Sequence, residues 1–74
     1  MKMKIRLDTD SAATRLVGLA TGLNEKVTLT DNNGLVVSAK SLLGAMYVRF
    51  EFREVWLETE NEHYYLFKDF AVEE

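Results

Sequence analysis

Charged and apolar residues alternate strictly from Lys2 to Leu7, the period-two pattern of a strand with one buried face. Asp8, Asp10 and Ser11 are good helix caps, and behind them Ala12, Ala13, Leu16, Val17, Leu19, Ala20 and Leu23 recur at helical spacing. A first helix is therefore expected from about Ser11 to Ala20, with Gly22 near its C-terminal end. Val27 and Leu29 alternate with Lys26, Thr28 and Thr30, and Asp31-Asn32-Asn33-Gly34 then supplies residues that tolerate positive φ. This predicts a hairpin into a strand over Leu35–Ala39.

Ser41 opens the short apolar segment Leu42-Leu43-Gly44-Ala45-Met46, which predicts a helix of two turns. Val55 and Leu57 alternate with Glu54, Trp56 and Glu58 in a fourth strand. Thr59-Glu60-Asn61-Glu62 has the spacing of a capping box, so a last helix should follow and bury some of Tyr64, Leu66, Phe67, Phe70 and Ala71. The order β-α-β-β-α-β-α gives an α+β fold, an antiparallel sheet covered by helices on one face and wet on the other. There is no repeat, no low-complexity tract and no proline, so connections are short.

Seventy-four residues make one domain, 1–74, with one core. A chain this small buries only about 60% of its unfolded surface, and without cysteine it has neither disulfides nor thiolate metal sites to help. At 47% hydrophobic and 28% charged residues it should still fold by packing, aided by any self-association. A net charge of −3 and a pI near 5.1 argue against nucleic acid as a partner. Lys2, Lys4 and Arg6 are followed by no apolar run of signal-peptide or membrane-span length, so no membrane contact and a cytoplasmic location are expected.

Gly22-Leu23-Asn24-Glu25-Lys26-Val27-Thr28-Leu29, Asn33-Gly34 and, most specifically, Ser38-Ala39-Lys40-Ser41-Leu42-Leu43-Gly44-Ala45-Met46 resemble the middle of HPr, the phosphocarrier of the bacterial sugar phosphotransferase system. The element order is similar over essentially the whole chain. The resemblance implies an open-faced sandwich: a four-stranded antiparallel sheet in order 1-4-2-3 with three helices on one side. It also implies a loop of the type Asn-Gly-Leu-His-x-Arg-Pro-Ala before the first helix, whose histidine carries the phosphoryl group. Here the register places Thr9 at that histidine, Ser11 at the arginine and Ala12 at the proline, and the connection after Leu7 is shorter. No catalytic residue and no cofactor is expected.

A threonine ester is too stable to pass its phosphate on, and Asp8 and Asp10 would repel an incoming phosphate, so Asp8, Thr9 and Asp10 read first as helix caps. Arg15, one turn inside the helix, reads as an exposed arginine. Ser41 matches the serine phosphorylated by a dedicated kinase in HPr and in its histidine-lacking catabolite-repression paralogue. Its plainer role is an N-cap, and the two are compatible because a phosphate at a helix N-terminus meets a favourable dipole. The single His63 has no second ligand for a metal and is expected to be a partly exposed helix residue, and Glu58 and Glu60 are expected to form a solvated strand end.

Strand parity sends Trp56 to the helix-free face, where it is either packed on neighbouring side chains or part of a partner surface, a reading to which Phe50 and Phe52 add. The resemblance implies contacts through the first and the short helix, making Leu16, Leu42, Leu43 and Met46 the candidate surface if they are exposed. The expected function is a non-catalytic HPr-like regulatory or interaction domain with a protein partner, open to phosphorylation at Ser41. The alternative is a small structural or oligomer-forming protein sharing only the fold, a homodimer built on the face around Trp56. A phosphocarrier with a displaced acceptor ranks last.

Overall fold

The computed structural model describes residues 1–72 and has the order β1 (Lys2–Ile5), α1 (Asp10–Thr21), β2 (Val27–Thr30), β3 (Val36–Ser38), α2 (Leu42–Glu51), β4 (Val55–Thr59) and α3 (Tyr64–Phe67). A 3-10 turn over Lys68–Phe70 closes the chain behind α3. The four strands form one antiparallel sheet in the order β1-β4-β2-β3. This α+β arrangement is the expected one, including the sheet order.

Parity fixes the two faces. Met3, Leu57, Leu29 and Val37 lie in one row across the sheet, and Ile5 faces Val55 in the next. With Val27 they form the sheet's share of the core, and α1 adds Ala13, Leu16 and Ala20 from one stripe. The opposite parity carries Lys2, Glu58, Thr28 and Ser38 in one row and Lys4, Trp56, Thr30 and Val36 in another. Between β2 and β3, Asn32 (φ 64°) and Gly34 (φ 102°) take the left-handed conformations expected of that turn.

Three local expectations need correction. The helix after Ser41 does not stop at Met46 but runs ten residues to Glu51, because Ala45 and Val48 bury one side of it and Arg49 is tied to the start of α1. The Arg49 guanidinium donates to the Asp8 carbonyl at 3.0 Å and pairs with Asp10 at 3.0 Å, joining α2 to the loop before α1. Phe50 therefore lies on α2 and Phe52 caps it, so neither accompanies Trp56 on the open face. Gly22 stands at the C-terminal end of α1, as expected, in right-handed conformation (φ −74°) with its own N–H closing the helix.

No capping box forms at Thr59-x-x-Glu62. Thr59 is the last residue of β4 and donates its hydroxyl to the Asn61 carbonyl at 2.6 Å, while the Glu62 carboxylate accepts the Tyr64 N–H at 2.9 Å. The last helix is consequently a single turn, burying Phe67 and, through the 3-10 turn, Phe70, with Tyr64 and Leu66 exposed. Beyond it, Ala71 bridges to Ile5, the Arg6 N–H donates to the Phe70 carbonyl at 2.8 Å and the Val72 N–H to the Lys4 carbonyl at 3.1 Å. That segment covers the end of β1's outer edge.

Candidate functional site

Three places bear on function: the start of α1, the outward face of α2 and the helix-free face of the sheet. At the first, Thr9 is extended (φ −138°, ψ 162°), and its hydroxyl accepts the Ala12 N–H at 3.0 Å, so Thr9 itself is the N-cap of α1. A cleft of about 550 Å³ opens beside it, lined among others by Arg6, Asp8, Ala12, Arg15 and Asp69. Arg15 lies over the Phe70 ring, 5.1 Å from its centroid, and Arg6 stands 3.8 Å from Asp8. The walls set two carboxylates, Asp8 and Asp69, against two guanidinium groups, Arg6 and Arg15, so the cleft offers no net charge to draw in a phosphate. Thr9 is spent on backbone capping, and no imidazole stands at this end of α1.

The one histidine lies at the other end of the helix. His63 precedes α3 and its Nε2 meets the Glu25 carboxylate, which sits in the α1–β2 loop past Gly22. Twelve residues of α1 separate that loop from Thr9, about 18 Å of helix. Glu25 also accepts the backbone N–H groups of Glu60 at 2.8 Å and Asn61 at 2.9 Å. His63 is thus partly exposed, as expected, but it precedes the helix instead of lying in it and is one donor in a latch between the α1–β2 loop and the turn after β4.

Burial works against ionisation of Glu25. The hydrogen bond from His63, the backbone N–H groups of Asn61 and Glu60 and the positive charge on His63 outweigh it and hold the carboxyl below its ordinary value. A folded-state value below the unfolded one means that the unfolded chain takes up the proton first as the pH drops, so acid favours unfolding. The latch contributes fully above the ordinary glutamate value of about 4.3 and is lost as the pH falls through the lower folded value. Thermal melts from neutral to acid pH should show wild type losing its advantage over Glu25→Gln across that window. A gap that stays constant with pH would refute the latch.

On α2, Ser41 (φ −102°, ψ 119°) is the N-cap, its hydroxyl accepting the Gly44 N–H at 3.0 Å. Ser41→Ala should cost about 1 kcal/mol and Ser41→Asp close to nothing, since aspartate restores both the acceptor and the favourable charge. In a domain of this size the alanine change should lower the melting temperature by roughly 4–8 °C. Equal melting of all three proteins would show that the Ser41 hydroxyl caps nothing.

Ala45 and Val48 turn inward, which leaves Leu42, Leu43, Met46, Tyr47 and Phe50 on the outward side of α2. Leu43 is 85% exposed and Phe50 71%, with Met46 half-buried among them. Tyr47 was not singled out in the sequence and Phe50 was assigned to the surface around Trp56, although Leu43, Met46, Tyr47 and Phe50 keep the spacing i, i+3, i+4, i+7. Leu16 does not belong to this surface. It is completely buried, because α1 presents it to the sheet together with Ala13 and Ala20.

On the helix-free face Trp56 is half-buried, as strand parity requires. Its indole N–H donates to Glu54 at 3.1 Å and Lys2 lies 5.7 Å from the ring centroid. Lys2 pairs with Glu58 at 3.5 Å and Lys4 with Glu54 at 3.7 Å, so the ring sits in a frame of charged neighbours. Among the described residues no group of three or more His, Cys, Asp or Glu side chains could hold a metal, and no helix is long and apolar enough to cross a membrane. No family model, curated protein or solved structure matches this chain.

Proposed function

We propose that this chain is a non-catalytic, HPr-like regulatory module of the bacterial cytoplasm that works by docking the outward face of α2 on a protein partner. The observation that carries the reading is the run of Leu42, Leu43, Met46, Tyr47 and Phe50 along one side of a helix whose first turn is capped by an exposed serine. Contiguous apolar surface of this kind is characteristic of interaction sites, and its cost in water is recovered when a partner covers it. Phosphorylation of Ser41 would add roughly −1.5 to −2 charge beside Leu42 and Leu43. The helix dipole tolerates that charge, while an apolar partner would be repelled or an arginine-bearing one recruited.

The spent hydroxyl of Thr9 and the position of His63 past the other end of α1 support a module that carries no phosphoryl group. Incubated with phosphoenolpyruvate and the first enzyme of a sugar phosphotransferase system, the protein should take up no acid-labile phosphate. Stoichiometric acid-labile labelling would overturn the reading. The docking face is tested by capture from native cytosol with wild type and Phe50→Lys in parallel. A discrete partner held by the first and lost by the second is expected, and equal recovery by both would exclude α2.

A further inference from the structure

The sheet has two edges, and they are treated differently. The outer edge of β1 is covered at its end by the Phe70–Val72 segment. The outer edge of β3 has no covering segment among the described residues, and β3 carries no charge, proline or bulge to blunt it. From Leu35 to Ala39 the sequence is Leu-Val-Val-Ser-Ala, with Val36 63% exposed and Leu35 exposed beside it.

The register says which backbone groups face outward. The Ala39 N–H donates to the Val27 carbonyl at 2.9 Å, so Val27 and Ala39 form a hydrogen-bonded pair, and by alternation Leu29 and Val37 form the next. Val36 and Ser38 occupy the intervening positions, with their N–H and C=O groups directed away from β2. The Ser38 carbonyl already accepts the Ser41 N–H at 3.3 Å, which leaves Val36 as the residue with both groups free to pair.

The helix above the edge is apolar on the same side. Gly44 sits so tightly on β3 that a Cβ there would come 2.4 Å from the Val37 side chain, while Arg49 points towards the loop before α1. Leu43 and Tyr47 therefore lie on the flank of α2 away from α1, above the bare edge. Strand edge and helix flank make one two-layered apolar margin.

We infer that a second copy of this chain docks on that margin, β3 against β3 antiparallel about a two-fold axis at Val36, joining two four-stranded sheets into one. A copy of this chain fits for three reasons. The edge offers what it needs, a donor and an acceptor on the same residue, so Val36 pairs with its own mate across the axis. Opposite ends of the edge carry opposite charge, Asp31 ahead of β3 and Lys40 after it, and the antiparallel two-fold brings each end of one copy towards the other end of its mate. The paired edges alone are short, and Leu43 and Tyr47 of both copies supply the apolar area above them that a stable interface requires. Leu43 and Tyr47 also belong to the run proposed above to dock a partner, whereas Leu42, Met46 and Phe50 stay outside the seam. The inference stands on the bare edge of β3 and not on α2 docking a foreign partner. Trp56 stays outside as well, two strands away across β2.

Sedimentation equilibrium from about 10 μM to about 1 mM should show the mass rising from 8.5 kDa towards twice that value. Val36→Lys sets like charges opposite each other across the axis and should weaken the dimer at least tenfold, with unchanged far-ultraviolet circular dichroism at low concentration. Phe50→Lys should leave it intact, and Trp56 emission should not move with concentration. In a chain without cysteine, Val36→Cys should cross-link to a covalent dimer on mild oxidation, since facing hydrogen-bonded residues lie about 5.5 Å apart at Cα. A protein that remains monomeric throughout, or a dimer that Val36→Lys leaves as tight as wild type, would overturn the inference. So would a dimer that shifts Trp56 emission and yields no Val36→Cys cross-link, which would place self-association on the open face instead.

Discussion

Leu16→Ala is expected to lower the free energy of unfolding by about 2–5 kcal/mol, whereas Leu43→Ala should stay within about 0.5 kcal/mol of wild type. The same chemical change separates the two because Leu16 is wholly enclosed between α1 and the sheet while Leu43 stands in solvent. Deleting Leu16 forfeits the transfer energy of its methyl groups and leaves a cavity beside Ala13 and Ala20, residues too small to close it. Two-state domains have roughly 0.05–0.15 kcal/mol of stability per residue, so for this chain the loss is a large part of the whole. Urea unfolding of both variants measures the difference directly. At protein concentrations below the dimer range, comparable losses would mean that Leu43 is covered within the monomer. A negligible loss at Leu16 would mean that α1 packs through another face.

Much of the fold was legible because its elements are governed by local rules. Met3, Ile5 and Leu7, Val27 and Leu29, and Val55 and Leu57 alternate with polar residues and are all buried, and that parity alone placed Trp56 on the helix-free face. The caps at Thr9 and Ser41 and the turn at Asn32 and Gly34 were readable for the same reason, each depending on residues within a few positions. The sheet order β1-β4-β2-β3 came from the resemblance, since periodicity does not say which strands are neighbours.

What was not legible depends on partners far away in sequence. Tyr47, Val48 and Phe50 are strand formers, and a helix persists through them to Glu51 because Arg49 reaches Asp8 and Asp10 some forty residues back. The Glu25–His63 contact spans a comparable separation, so neither residue showed a motif. Thr59 and Glu62 do have the spacing of a capping box, but pairing with Val27 keeps Thr59 in β4, and the spacing loses its meaning. At the candidate surface, Leu42, Leu43 and Met46 were found through the resemblance, Tyr47 was missed and Phe50 was assigned to the face around Trp56, since placing them requires knowing that α2 continues.

Phe67→Ala carries the largest expected loss, about 3–5 kcal/mol. α3 is a single turn without a side-chain cap, far below the length at which a helix supports itself, so its position depends on what it buries. Phe67 is fully enclosed and is the largest such side chain in the core. Removing it opens a cavity and also loosens the turn that leads into Phe70, whose carbonyl binds the Arg6 N–H, and into Val72, whose N–H binds the Lys4 carbonyl. Two effects should therefore appear together: a fall in the urea midpoint, and early hydrogen exchange at the Arg6 and Val72 amides while those of β2 remain protected. Tyr65→Ala, two residues away and 84% exposed, supplies the control and should change neither. If Phe67→Ala lowers stability yet leaves the Arg6 and Val72 amides as protected as those of β2, the segment over β1 is held by Phe70 alone. If stability itself falls by less than about 1 kcal/mol, Phe67 is not the anchor of α3.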